Sequence, residues 1–254
     1  MPAAFIGHGT PMNALDDNRY TQSWQALGAS VPAPRALLVI SAHWFINATA
    51  VTAMTHPRTI HDFYGFPQQL FDLQYPAPGL PELAAKIAEL VQPTWIGEDL
   101  DSWGLDHGTW SVLCHMFPNA DIPVVQLGIN AEKPLEYHVA LGAALAPLRD
   151  SGVMIIGSGN VVHNLGLIDF SDPDAGFDWA HRFNEEAIRT MGSEPGEAAA
   201  LAAHPDFSRS APTAEHFIPF LYIAGLAAAA GTMPEVIVDG YVAGSLSMTS
   251  WTVS

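Results

Sequence analysis

Four runs of apolar residues, 3–6, 36–41, 123–127 and 153–156, are short and bounded by Gly, Pro or polar side chains. Apolarity in them is nearly continuous, which marks strands covered on both faces. A further strand is expected at 235–238, an edge strand at 244–249, and a neighbouring strand at 48–54, where the alternation is weak. Helical patterns occupy the intervals, at 21–27, 81–91, 110–116, 134–149, 178–190 and 215–230. Pro134 stands where a first-turn proline is tolerated, and Gly152 follows the same helix as a stop signal. Strands that alternate with helices predict an α/β fold, a three-layer sandwich with a mostly parallel central sheet. In such sheets ligands bind beyond the carboxyl ends of the strands.

Composition narrows the class. Of 254 residues, 49% are hydrophobic and 14% charged, a balance that excludes intrinsic disorder. The length suits one α/β domain, and no repeat or linker divides residues 1–254, so a single catalytic domain is expected. Acidic side chains number 26 against 9 basic ones, a net charge of −17 that speaks against nucleic-acid binding and against an anionic membrane surface. Cys114 is the one cysteine, so neither an intrachain disulfide nor a thiolate metal cage is available, and a reducing, cytoplasmic setting is expected. The first residues lack a basic segment ahead of an apolar one. The longest apolar run, 217–231, contains Pro219 and falls short of the ~20 residues of a membrane helix.

Three of the expected strands end in the same chemistry. The first runs into Gly7-His8-Gly9-Thr10-Pro11, the second into Ala42-His43-Trp44, and that at 153–156 into Gly157-Ser158-Gly159-Asn160-Val161-Val162-His163-Asn164. Any one of these histidines reads as a loop residue, solvated or bonded to a carbonyl; three at corresponding ends of one sheet converge in space. His216 is a fourth candidate. If Thr213 caps a helix that starts at Ala214, His216 lies in its first turn, where the dipole favours the neutral ring that binds metals. Glu215 beside it is either a ligand or, the favoured reading, an acid that complements the dipole. His107, in Asp106-His107-Gly108-Thr109-Trp110, is either half of a structural pair with the adjacent acid or a residue close to substrate. Asp62-Phe63-Tyr64-Gly65-Phe66-Pro67 is an aromatic loop that either walls an aromatic substrate or packs over the sheet edge. His138 and His181 fall in helical patterns and read as surface or core-edge residues. Other chemistries are poorly served: no phosphate loop is present, Gly157 and Gly159 lack the third glycine of a dinucleotide site, and Ser158 does not sit in a nucleophile elbow and reads as a turn hydroxyl. Cys114 reads as a small buried hydrophobe.

Taken in order, Gly7-His8-Gly9-Thr10-Pro11, Ser41-Ala42-His43-Trp44, Asp106-His107-Gly108-Thr109-Trp110, Gly157-Ser158-Gly159-Asn160 with His163-Asn164-Leu165, and Glu215-His216-Phe217 resemble the class III extradiol ring-cleaving dioxygenases, of the 4,5-DOPA extradiol dioxygenase type. The resemblance covers nearly the whole chain and keeps motif order. It implies a three-layer α/β sandwich that binds one divalent metal ion through His8, His43 and His216. His163 would be the acid/base and is available as a fourth ligand; His107 would lie near the substrate. Tyr64 and Trp44 are candidates for contact with an aromatic ring. Fe(II) is the metal expected for oxygenase activity, since three protein ligands leave positions open on a non-haem iron, and the same imidazoles would hold Zn(II). The implied partners are a small-molecule catechol and O2. Against this stand a zinc-dependent hydrolase and a non-catalytic metal-binding member of the same superfamily. The motifs specify neither the catechol substituent nor the oligomeric state.

Overall fold

A computed structural model describes residues 1–254. In chain order its strands are β1 (Ala3–Gly7), β2 (Ala36–Ile46), β3 (Ala50–Thr52), β4 (Gly97–Asp99), β5 (Val124–Asn130), β6 (Val153–Gly159), β7 (Glu235–Val238), β8 (Tyr241–Val242), β9 (Leu246–Ser247) and β10 (Ser250–Val253). The α-helices are α1 (Arg19–Ser30), α2 (Gln68–Asp72), α3 (Pro81–Leu90), α4 (His107–Met116), α5 (Leu135–Ala144), α6 (Pro147–Asp150), α7 (Asp178–Ser193), α8 (Phe207–Ser210) and α9 (Ile218–Ala230). Eight strands form the central sheet in the order β4-β3-β5-β2-β6-β1-β10-β7. Its middle, β5-β2-β6-β1, is parallel throughout, while β10 runs antiparallel to both β1 and β7, and β3 antiparallel to β5.

The expected three-layer α/β sandwich is what forms, and the continuous apolar runs explain why. Successive side chains of a strand point to opposite faces. Ala3 and Phe5, Leu38 and Ile40, Val153 and Ile155 enter one core with α5, α7 and α9; Ala4 and Ile6, Leu37 and Val39, Met154 and Ile156 enter the other with α1 and α4. Helix α9 lies deepest, with every residue from Ile218 to Ala227 buried. It approaches α5 closely because glycines face backbone on both sides: a Cβ on Gly142 would strike the Tyr222 carbonyl, and one on Gly225 the Val139 carbonyl. No helix is long and apolar enough to cross a membrane.

Several boundaries differ from the sequence pattern, each for a local reason. The helix expected at 134–149 divides into α5 and α6, because Pro147 cannot donate a backbone hydrogen bond and starts a new turn. Pro134 precedes α5 as its cap residue instead of lying in its first turn. The helix expected from 215 begins at Ile218; Thr213 donates its hydroxyl to Glu215 (2.8 Å) and caps nothing, so His216 sits in the turn ahead of α9. Strand β2 continues past residue 41 to Ile46, so His43 lies inside it, at an irregularity where its register with β5 shifts between Ile40 and Phe45. Of residues 244–249, only Leu246 and Ser247 are strand, and they pair with β8 outside the main sheet; the strand that borders β1 is β10.

Candidate metal centre

The carboxyl ends of β1, β2 and β6 lie side by side, and their histidines meet there. His8 follows β1 directly, and its N–H donates to the carbonyl of Gly159 at the end of β6 (3.1 Å). His43 lies just beyond Ser41, the last β2 residue paired with β6. His216 is brought in from the other side: its carbonyl accepts the Asn160 N–H (2.9 Å), and Gly159 packs so close to that carbonyl that no Cβ fits. His163 is fixed by its own N–H, which donates to the Ser210 carbonyl (2.7 Å). His107 is the first residue of α4, whose cap is Asp106.

The rings of His8, His43 and His216 form a nearly equilateral triangle. Their centroids are 5.1 Å apart for His8 and His43, 5.3 Å for His8 and His216, and 5.1 Å for His43 and His216. With metal–nitrogen bonds of about 2.1 Å, rings around one ion stand roughly 4.5–5.3 Å apart. His107 is placed less evenly, 3.8 Å from His43 and 5.9 Å from His8. His163 stacks on His216 at 3.4 Å with planes 4° apart. Lone pairs of two parallel rings do not converge, so His163 and His216 in these orientations cannot bind one ion together. Taken by their nitrogens, His8, His43 and His107 lie within 4.8 Å of one another, as do His163, His216 and a Glu215 oxygen.

Each of four rings has its Nδ1 engaged. Ser158 donates its hydroxyl to the Gly108 carbonyl (2.5 Å), so toward His8 it accepts, and the 2.9 Å contact requires a proton on His8 Nδ1. Ser158 is thus more than the turn hydroxyl the sequence suggests. His43 Nδ1 meets Asp62 Oδ2 at 3.2 Å, His107 Nδ1 meets Asp62 Oδ1 at 2.9 Å, and His216 Nδ1 meets Glu215 Oε1 at 3.3 Å. The acid paired with His107 is therefore Asp62, while Asp106 is buried and accepts from Ser41, Thr109, Trp103 and Gln126. His8 Nε2 and His43 Nε2 lie 3.3 Å apart. With the proton of each ring on Nδ1, these two nitrogens face each other bare, as they would toward a shared metal ion.

The electrostatics suit a cation. Burial pulls the pKa values of His8 and His216 well below the ordinary imidazole range, aided by the neighbouring histidines, and lowers that of His163 to about 4. Burial and His43 lower His107 as well. On His43 burial acts in the same direction, but the Asp62 hydrogen bond and the charges of Asp106, Asp62 and Glu215 outweigh it and raise its pKa. Burial would raise Asp62, yet the hydrogen bonds from His107 and His43 hold its carboxyl well below the usual range. Neutral imidazoles backed by carboxylates and a hydroxyl are the donor set a divalent ion takes.

The remaining candidates lie elsewhere. Trp44 is buried with its indole over Gly128, stacked on Trp103 at 5.8 Å. Tyr64 is 92% exposed at the tip of the aromatic loop. Phe63 of that loop packs on His107 (5.4 Å) and Trp110 (6.0 Å), so the loop braces α4. Cys114 is only half-buried, and His138, expected at the surface or the edge of the core, is fully buried against Tyr222; His181 is exposed, within the same expectation. Asp62 is the site residue that sequence reasoning missed. Its one signal was its position at the head of an aromatic, glycine-hinged loop.

Comparison with known proteins assigns the family. A family model described as the catalytic LigB subunit of aromatic ring-opening dioxygenase matches residues 2–251. The chain belongs to that family and is an aromatic ring-opening dioxygenase. It is 49% identical to a protein of Escherichia coli (strain K12) named 4,5-DOPA dioxygenase extradiol, over 98% of this chain and 93% of the relative. A Beta vulgaris protein of the same name is 39% identical over 97% and 94% of the two chains. The crystal structure of a protein from Escherichia coli K12, described as uncharacterized, matches with a TM-score of 0.87 and 43% identity, covering 100% of both chains. Family chemistry is metal-dependent, and neither the hydrolase nor the non-catalytic alternative is favoured by these matches.

Proposed function

We propose that this dioxygenase opens the ring of a catechol beside its two hydroxyls, at one Fe(II) ion held by His8, His43 and His216. The triangle formed by those three rings, each with Nδ1 tied to a hydroxyl or carboxylate, is the observation that carries the reading. The names of the relatives support DOPA or a related catecholic acid as substrate. Bound Fe(II) supplies coordination positions for both catechol oxygens and for O2, and so brings the two reactants together.

The protein's part follows from its side chains. His163 is not needed as a ligand, since its plane parallels that of His216 at 3.4 Å. Burial keeps it neutral, so it accepts a catechol hydroxyl proton and returns it as the ring opens. His107, with Nδ1–H held by Asp62, offers Nε2 as an acceptor to substrate. Both atoms of O2 enter the ring-opened product, and no external reductant is required. A cytoplasmic setting, where the single thiol stays reduced, belongs to the same reading.

The test is aerobic turnover of the Fe(II)-reconstituted protein on DOPA and a panel of catechols. A yellow ring-opened semialdehyde, formed with one O2 consumed per ring, is expected. No product across the panel, with iron confirmed bound, would overturn the reading; ester or amide hydrolysis by the Zn(II) form without oxygen would select the hydrolase instead.

A further inference from the structure

Asp62 touches two of the site histidines at once. Its Oδ2 accepts from His43 Nδ1 (3.2 Å), while Oδ1 accepts from both His107 Nδ1 (2.9 Å) and the His107 backbone N–H (2.9 Å). The side chain is 16% exposed, and it arrives on the loop between β3 and α2. That loop is pinned by Phe63, which packs on His107, Phe66 (5.4 Å) and Phe71 (4.9 Å). An ionised carboxylate only accepts hydrogen bonds. Both rings must therefore present N–H at Nδ1, which leaves each neutral ring with a bare Nε2.

We propose that Asp62 is a positioning residue that sets the Nδ1–H tautomer of His43 and His107 together through one shared carboxylate, so that the metal-binding ring and the substrate-facing ring are aimed by the same group. This rests on the reading of His43 as a metal ligand. The geometry also specifies how an amide would fail. In Asp62→Asn the oxygen must stay where Oδ1 is, because the His107 backbone N–H can only donate. The amide nitrogen then takes the place of Oδ2 and donates to His43 Nδ1, which drives the His43 proton to Nε2, the atom a metal needs.

The experiment measures Zn(II) binding by competition with a chromogenic chelator, without substrate, together with histidine-ring nitrogen NMR. Zn(II)-loaded wild type is expected to carry its ring protons on Nδ1 of both His43 and His107. Asp62→Asn is expected to bind Zn(II) about 10–100-fold more weakly, with the His43 proton moved to Nε2 and His107 unchanged. Wild-type affinity and an unmoved His43 proton in Asp62→Asn would sink the proposal, and so would an Nε2–H tautomer of either ring in the Zn(II)-loaded wild type, a measurement that needs no variant. His43→Ala separates the two ideas: if it keeps full Zn(II) affinity, the ligand reading itself fails; if it loses Zn(II) while Asp62→Asn keeps it, only the positioning role does.

Discussion

A histidine nitrogen becomes a metal ligand only when its proton sits on the other nitrogen, and here the surrounding side chains decide that. Ser158 orients His8, Asp62 orients His43, and Glu215 orients His216. His8→Ala and His43→Ala are each expected to abolish stoichiometric metal binding, read by elemental analysis; full occupancy in either would reject the assignment. His163→Ala is expected to keep the metal while turnover falls about 10²–10⁴-fold, the usual contribution of a general acid/base. Loss of metal in that variant would instead make His163 a ligand. Glu215, which the sequence reads as a dipole-complementing acid or a ligand, bonds to His216 Nδ1 from the turn ahead of α9 and lies outside that helix.

At the scale of elements, the site depends on how closely β6 meets α9. Gly159 lies against the His216 carbonyl, so Gly159→Ala must push apart the strand end and the turn that carries His216. A loss of about 1–3 kcal/mol in stability is expected, the range for an overpacked contact, together with weaker Zn(II) binding in the same chelator competition. The α5–α9 contact holds a second device. His138 is fully buried there, with Nδ1 3.1 Å from the Tyr222 hydroxyl. Burial lowers its pKa to about 4, offset in part by nearby carbonyls of Lys133 and Asn130. An unfolded chain binds this proton near pH 6.5 and the folded one only near 4, so the stability is present in full above 6.5 and is lost as pH falls between those values. His138→Leu is expected to reduce the slope of stability against pH across that window by up to about 1.4 kcal/mol per pH unit, measured from urea midpoints.

Across the whole molecule, a charge of −17 surrounds a site whose nearest fixed charges are the carboxylates Asp62, Asp106 and Glu215. Like charge slows the approach of an anion, and salt relieves that repulsion. For a catechol that carries a carboxylate and no amine, kcat/KM is expected to rise with ionic strength. For one that carries only an ammonium group it is expected to fall. Profiles independent of salt for both would show that the surface charge does not reach the site.

How far the fold and site were legible follows from the range of the forces involved. Apolar runs located β1, β2, β5 and β6 because a strand covered on both faces writes its burial into consecutive residues. The short antiparallel β10 escaped because Ser250-Trp251-Thr252-Val253 carries no such run. Ordered motifs singled out all five histidines: His8, His43 and His163 after strands, whose ends a parallel sheet must bring to one edge, and His107 and His216 beside helix starts. Asp62 bears no trace of its role in its neighbours, for it acts on His43 and His107 through space, after the aromatic loop has packed on α4. So do the parallel stack of His163 on His216 and the hydroxyl of Ser158 on His8. The sequence by itself determined which imidazoles share one edge of the sheet. Only the tertiary structure decided which nitrogen each turns inward, because hydrogen bonds between residues far apart in the chain set that choice.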